Sequence, residues 1–338
     1  MRHITDAMID AAIGPEDAQA VLLDAFQRFG HDEAAMQERL RTEAGGVKLS
    51  TLGAVIPGQE VAGAKVYTTI AGQFSFVIVL FSSVDGRPLA SFDAAAITRL
   101  RTAACSVIAA RHLARPGAQT LAVLGAGVQG RAHAQQFARA FPLRRILVSS
   151  PHVDKARLRE MQAECGVPVE GCSAETAVAQ ADLIVTASRA KQALFPGRLL
   201  RPGSFVAAIG SSLPTTRELD DEALSRASIV AVEWRPQALR EAGDLVLADP
   251  AVLPAGKLVE LADLVNGKAR GRSSDDEITI YKGVGVGLQD VALAGLAYRR
   301  INAPDPECPQ ADDMRRPPPE GERKFGNGPS LPSEGPRP

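Results

Sequence analysis

Three groups of residues in this chain have types and spacings suited to chemistry. The first is Gly125, Gly127 and Gly130, a G-x-G-x-x-G turn between the apolar run 121–124 and the helix-forming segment 131–139. Strand, glycine turn and helix in this order let backbone amides approach a pyrophosphate. The first glycine allows the tight turn, the second clears space for the phosphates, and the third lets the helix pack on the strand. The spacing predicts a dinucleotide site over Gly125, Gly127, Val128, Gln129 and Gly130. The second group is Lys65, within the apolar, β-branched run 62–69. Such a lysine either faces solvent from a strand or faces a cleft, where burial and neighbouring cations tune it for proton transfer. The third is Arg101, followed by the small residues Thr102, Ala103 and Ala104. Its guanidinium fork suits a carboxylate, and its spacing equally suits a surface position on an amphipathic helix.

These groups need elements to position them. Apolar runs at 120–124, 145–149, 182–187, 205–209 and 228–232 alternate with helical segments. That alternation predicts βαβ units and a doubly wound, Rossmann-type parallel sheet of the α/β class. Ser149 and Ser150 end the second strand, and Ser188 and Gly210 follow the third and fourth; all four are cofactor-binding candidates. The small-residue loop 207–219 after an apolar strand is where open α/β sheets place ligands, or else an ordinary turn into a helix. Ahead of this region, residues 15–29 read as an amphipathic helix with proline in its first turn. A second helix is expected at about 31–41. Residues 47–89 change to a β pattern punctuated by turn signals at Pro57-Gly58, Ala71-Gly72 and Asp85-Gly86, which predicts a small, mostly antiparallel sheet. A long helix at 94–113 and a strand-to-helix segment at 278–301 complete the pattern.

NAD selectivity requires an acidic residue at the end of the second strand of a Rossmann unit. Here that strand ends in Ser149 and Ser150, His152, Lys155 and Arg157 follow, and Asp154 arrives late, inside the turn. The pattern favours NADP(H) over NAD(H), with Lys155 as a candidate for the 2′-phosphate. Bulk composition narrows the class further. The chain has 338 residues with 45% hydrophobic content, enough for two cored domains, and a net charge of −1 gives no general field for nucleic acid or membrane surfaces. Four cysteines occur without a C-x-x-C pair, which disfavours metal and redox motifs and suits a reducing cytoplasm. No signal-like segment or apolar run of spanning length is expected. Ten of the 23 prolines fall in residues 302–338, a composition that predicts a disordered tail.

Six segments in order give the chain a resemblance to the ornithine cyclodeaminase/μ-crystallin family. They are Gly63-Ala-Lys65-Val, Asp85-Gly-Arg-Pro-Leu-Ala90, Thr98-Arg-Leu-Arg101-Thr-Ala-Ala104, the loop Gly125-Ala-Gly-Val-Gln-Gly130, Arg217-Glu-Leu-Asp220 and Lys282-Gly-Val-Gly285. The resemblance spans about residues 3–301. It implies a substrate-binding and dimerisation domain at 1–114 with 284–301, a Rossmann domain at 115–283, and a homodimer. It implies that Lys65 and Arg101 are catalytic, Lys65 as the active-site lysine and Arg101 as a contact of the substrate carboxylate or of the cofactor, with a small imino or amino acid as substrate. A second carboxylate-binding arginine is expected before the lysine strand: Arg41 fits best, with Arg39 as the alternative. Cyclodeaminases of the family carry an aspartate where this chain has Ser212, and a hydroxyl does not serve as a carboxylate base at neutral pH. The expected activity is therefore NAD(P)H-dependent reduction of a cyclic ketimine carboxylate such as Δ1-pyrroline-2-carboxylate, with Ser212 in the substrate site. Ornithine cyclodeamination and non-catalytic NADP(H)-dependent binding are the alternatives.

Overall fold

A computed structural model describes residues 1–303. Residues 1–301 form one compact unit. Most of the tail expected to be disordered, from residue 304 onward, lies outside the described residues. The first sheet is built from β1 (Arg2–Ile4), β2 (Ala35–Met36), β3 (Leu40–Ala44), β4 (Val47–Ile56), β5 (Val61–Ile70), β6 (Gln73–Ser82) and β7 (Pro88–Asp93). Its order is β1-β7-β6-β5-β4-β2, with β3 also on β4. All its pairings are antiparallel except β1 with β7, so the expected antiparallel sheet is present and extended by short strands at both edges.

The helix expected near 31–41 is absent. Helix Pro15–Gly30 ends there, Asp32 takes a left-handed backbone at φ 61°, and the chain enters β2 and β3. Residues 34–40 are mostly good helix formers, but β2, β3 and the Gln37 amide, which donates to Gly53 O at 2.9 Å, supply backbone partners to β4. Pairing along a long strand outweighs local propensities of a few tenths of a kcal/mol per residue.

The second sheet contains β8 (Thr120–Leu124), β9 (Arg145–Ser149), β10 (Val169–Gly171), β11 (Leu183–Thr186), β12 (Phe205–Ala208), β13 (Ala227–Val232), β14 (Leu258–Glu260) and β15 (Ile278–Lys282). All its strands are parallel, in the order β10-β9-β8-β11-β12-β15-β13-β14. The five strands expected from the apolar runs are all present. The order reverses direction between β8 and β11, and a ligand crevice opens at the carboxyl ends of strands at such a point. The glycine turn leaves β8 at that place. β15 returns late in sequence to lie between β12 and β13, and leads directly into helix Gly287–Asn302.

Helix Ala95–Leu113 is the central pillar. Ala103, Ala104, Ala109 and Ala110 are fully buried, so neighbours approach closely: helices Pro15–Gly30 and Val128–Ala140 and strands β12 and β15 all pack on it. The C-terminal helix reaches the first sheet through a glycine contact. A Cβ on Gly287 would lie 2.4 Å from the Gly53 carbonyl oxygen of β4. Gly287→Ala therefore forces helix and strand apart, and overpacking of this kind costs about 1–3 kcal/mol. Thermal unfolding of the variant should show a lower Tm than the parent; an unchanged Tm would mean the contact is looser than described.

Candidate active site

Lys65 lies on β5 opposite Leu52 of β4 and Ile78 of β6, both buried, so strand alternation turns it inward. It is 3% exposed, and the solvent-facing alternative does not hold. Its Nζ donates to Thr98 Oγ1 at 2.6 Å and to Asp290 Oδ1 at 3.4 Å, and lies 4.6 Å from the centre of the Phe76 ring. Burial pulls the Lys65 pKa down to about 8, Arg101 and Arg39 pull the same way, and the Asp290 carboxylate opposes them. Lys65 thus gives up its proton more readily than a free lysine, which suits it to proton transfer.

Arg101 projects from helix Ala95–Leu113 and is 7% exposed, so it is not a surface arginine. Its Nη1 donates to Gln289 Oε1 at 2.7 Å, and its Nε lies 3.3 Å from Asp290 Oδ1. Gln289 and Asp290 both come from helix Gly287–Asn302, and Asp290 is fully buried. The glycine contact at Gly287 sets this helix against β4, three residues before the carboxylate that meets Lys65.

A cavity of about 160 Å³ joins these elements. Thr98, Arg101, Gln129, Ser212, Glu233 and Gly285 are among the residues that line it. Gln129 thus meets Arg101 and Ser212 across one space, although the three come from separate parts of the chain. Gln129 donates from Nε2 to Thr98 O at 3.2 Å, and its Oε1 is buried without a partner. Glu233 Oε2 accepts from the Val284 amide and Oε1 from the Gly285 amide, both at 3.0 Å, which pins the turn that closes the cavity.

Of the two candidate second arginines, Arg39 lies nearer this turn. Its Nη2 donates to Val284 O at 3.0 Å and Gly285 O at 2.8 Å, and its Nη1 pairs with Glu241. Arg41 pairs with the other oxygen of Glu241, and its side chain is a quarter exposed.

The glycine turn has the form a pyrophosphate requires. Gly125 sits at φ +112°, a backbone that favours glycine. A Cβ on Gly130 would lie 1.8 Å from Gly125 O, whereas one on Gly127 would meet nothing within 4 Å. Helix Val128–Ala140 starts at Gly127 with no side chain capping it, which leaves its first amides for an anion. Gly127, Val128, Arg131 and Arg157 line an adjoining cleft of about 430 Å³. Ser149 and Ser150 end β9, where Ser149 O accepts from the Gly125 amide at 2.8 Å, and Lys155 is exposed at the start of helix Lys155–Cys165. Across the switch point, buried Glu218 gathers Ser188 and Gly210: it accepts from the Ser188 amide at 2.8 Å and hydroxyl at 2.6 Å, and from the Gly210 amide at 2.7 Å. The uncapped glycine turn suits an anion at the carboxyl edge of the sheet, whereas the Ser188 and Gly210 amides are already taken by Glu218.

A model of the ornithine cyclodeaminase/mu-crystallin family matches residues 11–305. The chain belongs to that family. The Δ1-pyrroline-2-carboxylate reductase of Bacillus cereus is 32% identical over 263 residues, which cover 76% of this chain and 78% of the relative. The crystal structure of a probable ornithine cyclodeaminase from Bordetella pertussis is 60% identical with a TM-score of 0.88, covering 89% of this chain and 97% of that one. Thermococcus litoralis Δ1-pyrroline-2-carboxylate reductase, solved in complex with NADH and L-proline, is 25% identical with a TM-score of 0.84 over the same shares.

Sequence reasoning missed Asp290, Gln289, Glu233 and Glu241. The signal for the first two was an acid and an amide inside the otherwise apolar stretch 286–297. A buried carboxylate needs a partner, so its presence there points to a cation across the interface. His133 is a buried histidine with a different task. It lies 2.7 Å from Gln129 O through Nδ1 and 2.9 Å from Ser106 Oγ through Nε2, tying the glycine-turn helix to the Arg101 helix. Burial lowers its pKa from 6.5 to about 4, and Arg101 adds to the effect while the Gln129 carbonyl opposes it. The folded state thus holds a neutral imidazole. This contribution is complete above pH 6.5 and is lost as pH falls toward 4. Denaturant titrations between pH 7 and 4 should show a shallower loss of stability in His133→Gln than in the parent; equal slopes would contradict a neutral, buried His133.

Proposed function

We propose that this protein reduces a cyclic ketimine carboxylate, such as Δ1-pyrroline-2-carboxylate, to the corresponding cyclic amino acid, here proline. The broader class, an NAD(P)H-dependent oxidoreductase acting on imino acids, follows from its family and its reductase relatives. The observation that carries the finer reading is the 160 Å³ cavity in which Arg101, Ser212 and Gln129 of the glycine turn meet, with buried Lys65 behind its wall, donating to the Thr98 that lines it. In this reading residues 1–114 with 284–301 form the substrate-binding part and 115–283 the dinucleotide-binding part.

Arg101 holds the substrate carboxylate, and Arg39 or Arg41 supports it from the far side of the 284–285 turn. Arg39 and Arg41 share Glu241, and Lys65 and Arg101 share Asp290, so the cations outnumber the acids they pair with and the site suits an anionic ligand. A bound reduced nicotinamide dinucleotide supplies the hydride. Lys65 supplies the proton: the C=N bond becomes CH–NH, the imine nitrogen gains the proton, and the lysine is reprotonated from solvent. A small cavity with fixed charges favours the reaction chiefly by orientation.

NADP(H) is the preferred cofactor in this reading. Asp154 is not free at the strand end, because its side chain caps helix Lys155–Cys165 by accepting from the Arg157 amide at 2.8 Å. Ser149 and Ser150 stand where an NAD-selective acid belongs, and Arg157 faces the cleft beside Gly127. A cytoplasmic location belongs to the same proposal, in keeping with the free thiols Cys105, Cys165 and Cys172.

The 60% identical probable ornithine cyclodeaminase favours a second reading, conversion of ornithine to proline and ammonia. Ser212 opposes it, since it provides no carboxylate base at that position. One assay series separates the two. Purified protein should oxidise NADPH with Δ1-pyrroline-2-carboxylate or Δ1-piperideine-2-carboxylate, faster than it oxidises NADH, and release no ammonia from ornithine. Arg101→Met should raise KM by about 10- to 100-fold, the worth of charged hydrogen bonds to a carboxylate. Ammonia release without imine reduction would reverse the assignment, and faster use of NADH would overturn the cofactor preference.

The homodimer is also proposed here. Val47, Leu49, Val55, Ile70 and Phe81 are exposed large apolar side chains on one face of the first sheet, more than an isolated sheet face ordinarily presents to water. Light scattering on the purified chain should give twice the protomer mass; a monomer mass at micromolar concentration would refute it.

A further inference from the structure

The proposed reduction uses Lys65 and Arg101 but leaves the charged group between them without a role. Asp290 is fully buried, and one of its oxygens faces both cations, 3.4 Å from Lys65 Nζ and 3.3 Å from Arg101 Nε. Its other oxygen is buried with no hydrogen-bond partner, and so is Arg101 Nε. A structural ion pair normally satisfies its lone pairs when buried. Here one carboxylate oxygen is shared by two cations at distances near the limit of hydrogen bonding. We infer that Asp290 is the positioning residue of the site: it holds the Lys65 ammonium against Thr98 as a proton donor and fixes the Arg101 guanidinium that receives the substrate carboxylate. This rests on the reading of Lys65 and Arg101 given above.

The surroundings of Lys65 support the assignment. From its own sheet it meets the Phe76 ring, and from helix Ala95–Leu113 the Thr98 hydroxyl and the Arg101 guanidinium. Arg39 adds a second positive field. Cys105, Tyr281 and His133 lie in the same buried region near Arg101, and burial keeps all three neutral near pH 7. Glu233 is occupied by the 284–285 turn, and Glu241 by Arg39 and Arg41. Asp290 is therefore the carboxylate in contact with Lys65. Without it, two cations would press the lysine toward the neutral amine, which has no proton to give. Ser212 offers no carboxylate from the opposite loop, so this task falls to the C-terminal helix.

The test uses the full chain and two readouts. The first is the pH titration of the Lys65 Cε resonance by NMR in lysine-labelled protein without substrate, assigned with Lys65→Arg. The second is the pH profile of kcat/KM for imine reduction, which reports groups before substrate binds. In Asp290→Asn the carboxylate that favours the ammonium is gone, so the Lys65 midpoint should fall from about 8 by about 1–3 pH units, the effect of an opposite charge at this range. The alkaline limb of kcat/KM should move down with it, and Asp290→Glu should keep the parent midpoint. A folded Asp290→Asn protein with an unchanged Lys65 midpoint overturns the inference, as does an alkaline limb that stays in place while the midpoint moves. If Asp290→Asn does not fold, Asp290→Glu decides: a parent-like midpoint supports the inference and a lowered one refutes it. If the parent protein reduces no imine, the functional proposal fails on its own, and the lysine titration still decides the role of Asp290.

Discussion

Burying an ammonium and a guanidinium side by side costs several kcal/mol per ion unless an acid is buried with them. Lys65 and Arg101 are both nearly sealed from water, and the acid that accompanies them is Asp290, some 190 residues further along the chain. This requirement shapes the rest of the molecule. The chain must return at the end to place one carboxylate over β5. It does so through β15, which inserts between β12 and β13, and through a helix that begins at Gly287 against Gly53 of β4. The second sheet thus delivers a side chain to the first. A helix start held by two glycines fixes its depth, since any Cβ at Gly287 would meet backbone.

The same logic recurs in the surrounding acids. Glu241 is shared between Arg39 and Arg41, Glu233 pins the amides of Val284 and Gly285, and Glu218 ties Ser188 to Gly210. Buried Lys282 is held by Asp244 at 2.9 Å and donates to Ser211 O at 2.6 Å, next to Ser212. Each of these acids joins separate segments of the chain. The cavity walls are therefore set by charge-assisted hydrogen bonds, which are shorter and more directional than apolar contacts. Such walls suit a site that must hold a small anion in one orientation.

Much of the fold was legible because its signals are local. Apolar runs ending in small residues marked the central strands of the parallel sheet, and glycine spacing marked the turn after β8. Alternation with turn residues marked β4, β5 and β6. The errors have two causes. Residues 31–41 have helical propensity, but β4 needs partners along its edge, and sheet pairing outweighs propensity. β10 and β14 are three-residue strands at the sheet margins, too short to leave a period.

The sequence by itself determined which residue types were available: a phosphate-ready glycine turn, a lysine inside a strand, an arginine on a small-residue helix, and a serine in the loop after β12. It left open whether Lys65 and Arg101 faced solvent, because a period of two or of 3.6 assigns a face without saying what covers it. Only the tertiary structure decided that both are buried, that Asp290 lies between them, and that Arg39 rather than Arg41 reaches the 284–285 turn. The physical reason is that charge pairing depends on distance through space. Residues 65, 101 and 290 become neighbours only when two sheets and a returning helix are packed together, and no local pattern encodes that distance.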